Sequence, residues 1–176
     1  TISEIALAPD GIRLAIGFED NTIELWNVQT QSYLGVLNGH TYSVRSVAFS
    51  PEGNLLASGS DDGTVKVWDL ASSTLRYSFE EHTSLVLGVT FSPDGTLLAS
   101  ASNDSTIRLW DLASGTNVQT LTGHAKGVRH VAFAPNGQTI ASASLDNTIN
   151  IWEVASGGLV KTLAGHTKQV RRVAFS

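Results

Sequence analysis

The sequence predicts an all-β chain built from four repeated four-stranded units, and three observations carry that prediction. Trp recurs at 26, 68, 110 and 152 and His at 40, 82, 124 and 166, every step being 42 residues. The tetrapeptides APDG, SPEG, SPDG and APNG begin at 8, 50, 92 and 134 in the same frame. Pro presets φ and Gly accepts the left-handed conformation, so each is a turn signal. Between turns the side chains alternate, Val65 and Val67 against Thr64 and Lys66, which is the period of a half-buried strand, and no segment shows a helical period.

Each element follows from this frame. In the second unit a strand over 44–50 leads through the turn PEG to a strand over 55–60. The turn DDG then leads to a strand over 64–69, and the loop LASST to a last strand over 75–79. The phrase SGSDDGTVKVWD from Ser58 returns as SASNDSTIRLWD from Ser100 and SASLDNTINIWE from Ser142, with a weaker copy, IGFEDNTIELWN, from Ile16. The units span approximately 1–38, 43–79, 85–121 and 127–163. Residues 169–176, QVRRVAFS, restart the cycle where 1–8 began it and read as one extra innermost strand. A unit this small cannot bury both faces of its sheet, so neighbours must stack on it. Small residues such as Ala48, Ala57, Ala99 and Ala141 suit a radial array tapering toward an axis.

Composition narrows the function classes. With 176 residues, 41% of them hydrophobic, the chain can bury a core, while 15% charged residues and 16 Gly against 4 Pro suit short strands and tight turns. The absence of Cys excludes disulfides and thiolate metal sites. No apolar run approaches the roughly 18 residues of a membrane span, so no membrane role is expected, and a cytoplasmic setting is. With no Met, position 1 included, the chain reads as an excised or processed piece. The net charge of −5 argues against a nucleic-acid partner. Charge is split, with 4 basic and 11 acidic groups in 1–88 against 7 basic and 5 acidic in 89–176.

A Gly-His pair followed, after 27 residues, by a Trp-Asp-like pair in a unit of 42 resembles the WD-repeat β-propeller family over the whole chain. The resemblance implies antiparallel four-stranded blades around a central channel and protein or peptide binding, usually without catalysis. It also implies a structural tetrad per blade: His40, Ser58, Asp62 and Trp68; His82, Ser100, Asp104 and Trp110; His124, Ser142, Asp146 and Trp152. In each, the carboxylate can accept from the imidazole, the imidazole can bond the Ser hydroxyl, and that oxygen can accept from the indole N–H. Such a network pairs buried polar groups and locks a loop onto its blade. Ser, His and Asp also suggest nucleophilic catalysis, which needs one Ser presented to solvent beside an oxyanion hole. A trio repeated three times with a fixed Trp does not fit that need. Four His spread around a ring do not converge on one ion either, and no cofactor is expected.

The first unit departs from the pattern, with Ile16 and Phe18 where the others have Ser, and with no preceding His. Four blades are fewer than rings of this family usually hold. Two solutions stay open. Two chains could close head to tail into an eight-bladed ring, a homodimer in which His166, Arg171 and Arg172 of one chain meet Asp20 and Trp26 of the next. The cations Lys161, Lys168, Arg171 and Arg172 would then face Glu4, Asp10, Glu19 and Asp20. Alternatively the chain is a fragment, or a sensor or assembly-regulating part, of a larger multidomain signalling protein. The family's usual binding face holds the loops after each His and the turns before each Asp. On it the candidates are Tyr42, Arg45, Asp61, Leu87, Asn103, Lys126, Arg129, Leu145, Lys168 and Arg171, with Tyr42 and the arginines ranked first. Deleting Arg45, Arg129 and Arg171 together should weaken an acidic partner.

Overall fold

A computed structural model describes residues 1–176, and its regular structure is sixteen short strands with no helix. They form four antiparallel meanders. Blade 1 is β1 (Ile2–Leu7), β2 (Arg13–Phe18), β3 (Ile23–Asn27) and β4 (Ser32–Leu37), and blade 2 is β5 (Val44–Phe49), β6 (Leu55–Ser60), β7 (Val65–Asp69) and β8 (Thr74–Phe79). Blade 3 is β9 (Val86–Phe91), β10 (Leu97–Ser102), β11 (Thr106–Asp111) and β12 (Thr116–Thr122). Blade 4 is β13 (Val128–Phe133), β14 (Thr139–Ser144), β15 (Ile149–Glu153) and β16 (Leu159–Leu163). The first strands, β1, β5, β9 and β13, are neighbours in that order and form the inner edge of the array.

Local chemistry closes the turns. Between β5 and β6, Gly53 takes φ +71° and its N–H donates to Ser50 O at 2.8 Å. Between β6 and β7 the left-handed position falls on Gly63 in blade 2, but on Asn21, Ser105 and Asn147 in the other blades. Non-glycine residues rarely hold that conformation. Here a preceding Asp carboxylate accepts from the backbone N–H two residues on and braces the turn: Asp20 to Thr22, Asp104 to Thr106, Asp146 to Thr148.

Blades 2 and 3 each bury two different faces against their neighbours, and blades 1 and 4 one each. Ala15, Ile23 and Leu37 of blade 1 pack on Val44, Val47, Leu56 and Trp68 of blade 2. One unit later, Ala57, Val65, Val67 and Phe79 pack on Val86, Val89, Leu98 and Trp110. The third interface repeats the arrangement with Ala99, Ile107, Leu109 and Leu121 against Val128, Val131, Ile140 and Trp152. The core is therefore three equivalent layers between blades, each with a small residue, Ala15 on β2, Ala57 on β6 or Ala99 on β10.

The two ends of the array lack a neighbouring blade. Ile2 and Ile5, the counterparts of Val44 and Val47, are each 56% exposed, whereas Val44 and Val47 are 0% and 6% exposed. At the other end, residues 169–176 form no strand in the single chain, in contrast to the extra strand expected from their sequence. A strand needs a ladder partner, and the second strand of a fifth blade is what such a partner would be. Instead the Val170 N–H donates to Ser144 O at 3.1 Å, and the Val170 side chain is buried against blade 4. Arg172, expected to meet a second chain, pairs with Glu4 of its own chain.

Candidate functional site

Three polar relays run from the core to one rim. In blade 2 the Trp68 Nε1–H donates to Ser58 Oγ at 3.0 Å, Ser58 Oγ lies 2.7 Å from His40 Nε2, and His40 Nδ1 lies 2.8 Å from Asp62. The donor order that pairs every atom runs indole to hydroxyl, hydroxyl to Nε2, and Nδ1–H to carboxylate. Trp110, Ser100, His82 and Asp104 repeat it at 2.9, 2.8 and 2.8 Å. Trp152, Ser142, His124 and Asp146 repeat it at 2.8 Å throughout. The three Ser are wholly buried.

The carboxylate ends hold the loops. Asp62 also accepts from the Thr41 N–H and from the Thr64 hydroxyl, Asp104 from the Thr83 N–H and Thr106, and Asp146 from the Ala125 N–H and Thr148. Burial works to raise each carboxyl pKa. The bonds from imidazole, hydroxyl and backbone outweigh it and hold all three well below the usual aspartate range. Thr64, Thr106 and Thr148 are thus further members of the relays, and the sequence reading passed over them although Thr recurs at 22, 64, 106 and 148. A second buried Ser per blade adds a strut. Ser60 donates to Tyr42 O, Ser102 to Ser84 O and Ser144 to Lys126 O, tying down the loops that follow each His.

Blade 1 has no relay. With Ile16 in place of Ser, the Trp26 indole donates instead to Glu24 at 2.8 Å, while Asp20 holds the Thr22 hydroxyl. His166 is exposed, as are Lys161 and Lys168, while Asp10 is bonded to Arg13.

The rim residues divide into groups. Asp61, Asn103 and Leu145 are fixed identically, their N–H groups donating to Ser43, Leu85 and Gly127 carbonyls, so different side chains stand at one repeated place. Tyr42 is exposed. Arg45 is bonded to Asp61 through Nε at 2.9 Å, an ion pair that the sequence spacing did not signal. Arg45, Leu87, Arg129 and Arg171 converge with Glu4, His130 and Arg172 on a cavity of about 440 Å³. Positions 3, 45, 87, 129 and 171 are one unit apart, as are 4, 46, 88, 130 and 172, so this cavity is the mouth of the central axis. Lys126, Leu145, Lys168 and Arg171 line a neighbouring cavity of about 490 Å³. No group of three or more His, Cys, Asp or Glu is positioned to hold a metal ion.

A family model described as WD domain, G-beta repeat, matches residues 31–69, 73–111 and 115–153. Each match begins at the outer strand of one blade and ends on the third strand of the next, so the sequence unit is offset from the structural one. The matches leave out the inner three strands of blade 1, where the relay is missing. A comparison with curated proteins gives no match. Proteins with these repeats are generally non-catalytic scaffolds for protein interactions, and with more than half of its length matched the chain belongs to the WD-repeat family.

Proposed function

We propose that the chain is a non-catalytic scaffold that presents the rim above its relays to a protein or peptide partner. The observation that carries this reading is the division of labour within each repeat. Relay and strut atoms recur at near-constant distances, whereas the exposed residues on the braced loops change from blade to blade. A constant frame with a variable edge is what selective binding needs. The relays share their bonding order with a Ser-His-Asp nucleophile, but each Ser oxygen is already occupied by an indole N–H and closed to solvent. A hydrolase would need that oxygen free and exposed. The test is selection from a peptide library, followed by binding to Y42A and to a variant of the opposite rim such as E52A. Loss in the first alone supports the reading, and loss in neither overturns it.

We further propose that two copies close head to tail. Ile2, Ile5, Leu14 and Trp26 of blade 1 occupy the places that Val44, Val47, Leu56 and Trp68 fill at the first interface. Ala141, Ile149, Ile151 and Leu163 are the matching face of blade 4, so one molecule carries both halves of an interface it already makes three times. Closure displaces residues 169–176, whose Val170 covers that end of blade 4 in the single chain. Light scattering after gel filtration tests it. Twice the 18.7 kDa chain mass, without further growth, is expected, and a monomer overturns it.

A further inference from the structure

The axial mouth and the cavity beside it share Arg171 and form one continuous basic track. Four arginines line the mouth against two glutamates, Glu4 and Glu19. The neighbouring cavity adds Lys126 and Lys168 with no acidic residue. These are six of the 11 basic residues in a chain of net charge −5, so the cations are gathered rather than scattered. Two of the guanidiniums in the mouth are already engaged, Arg45 by Asp61 and Arg172 by Glu4. Arg129 and Arg171 are exposed and make no ion pair or hydrogen bond through their side chains. Beside them the Nδ1 atom of His130 is buried without a partner and lies within the lining of the same mouth.

We infer that this track binds an acidic segment of a partner protein, laid in extended form from the axial mouth outward over blade 4. The inference rests on the scaffold reading and names the chemistry of its partner. Carboxylates reaching Arg129 and Arg171 make charge-assisted bonds, which are the stronger class and suit the paired oxygens of Glu or Asp. Glu4 and Glu19 close the blade 1 side of the mouth by like-charge repulsion, which directs the segment toward Lys126 and Lys168. No Phe, Tyr or Trp lines either cavity. The stacking platform of single-strand nucleic-acid binders is therefore missing.

The experiment is fluorescence anisotropy of the whole chain with a short labelled Glu-rich peptide, its Gln-rich counterpart, and a uridylate oligomer. Binding of the Glu-rich peptide alone, weakening with salt, is expected. R129A and R171A should each lower affinity about ten-fold or more, K126A with K168A should lower it further, and R76A, outside the track, should leave it unchanged. E4Q, which frees Arg172, should tighten binding. Equal binding of the Gln-rich peptide, tighter binding of the uridylate, or indifference to R129A and R171A in well-folded protein would each overturn the inference. A library-selected peptide lost in Y42A but kept in R129A would leave the scaffold standing and remove only the acidic track.

Discussion

Ser100 is the joint of the blade 3 relay, and its replacement by Ala isolates what the relay contributes. Its oxygen accepts from the Trp110 indole and bonds His82 Nε2, at 2.9 and 2.8 Å, in a site with no solvent access. S100A strands a buried donor and a buried acceptor together. Each unsatisfied group costs about 1–3 kcal/mol, so the loss should be about 2–4 kcal/mol once partial relaxation is allowed. For a domain of this length that corresponds to a fall of roughly 4–16 °C in melting temperature. Urea unfolding followed by Trp fluorescence reads the free energy, and a double-mutant cycle with W110F reads its origin. In S100A the indole N–H has no partner, so W110F should be less destabilising there than in the parent chain, by about 1–3 kcal/mol. Additivity within about 0.5 kcal/mol, or an S100A loss under about 1 kcal/mol, would refute the claim that relay bonding braces the blade.

Acid should weaken the fold through Asp62, Asp104 and Asp146. Their folded pKa values lie below the unfolded value of about 3.9, so their contribution is present above that pH and is lost as pH falls beneath it. An acid titration should show D104N with a flatter loss than the parent. Gly115 takes φ +69°, and a Cβ there would meet the Tyr77 ring at 2.5 Å. G115A should therefore lower stability by about 1–3 kcal/mol in urea unfolding. I5E should leave the chain folded by circular dichroism, because Ile5 is 56% exposed in the single chain. Its melting temperature should fall by what the lost assembly contributes. The same variant should abolish the two-copy assembly in light scattering.

The repeat made the strands and the relays legible, because a side chain that returns every 42 residues must meet an equivalent environment each time. His40, Ser58, Asp62 and Trp68 could be placed together only with the family resemblance beside the period, because a period does not say which of the repeated residues touch. Thr64 was equally periodic but hidden inside a turn, where its role depends on the second carboxylate oxygen of Asp62. What the period does not carry is anything made once. The Arg45–Asp61 pair, the Trp26–Glu24 bond and the Arg172–Glu4 crossing are each bonds with no counterpart in the other blades. The terminal segment shows the same limit from the other side. Its letters are those of an inner strand, but a ladder is a property of two strands.

The offset between sequence unit and blade has a consequence for how such arrays change length. Since each repeat ends on the third strand of a blade, the junction between repeats falls inside a sheet rather than between sheets. Gain or loss of one unit by in-frame recombination therefore produces a hybrid blade whose four strands still find equivalent hydrogen-bond partners. All interfaces between blades are of one kind, so the altered array keeps every internal contact and differs only in its number of members. Selection on such a gene can adjust the number of blades in whole steps without passing through a broken sheet, and the point mutations that diversify the rim can proceed independently.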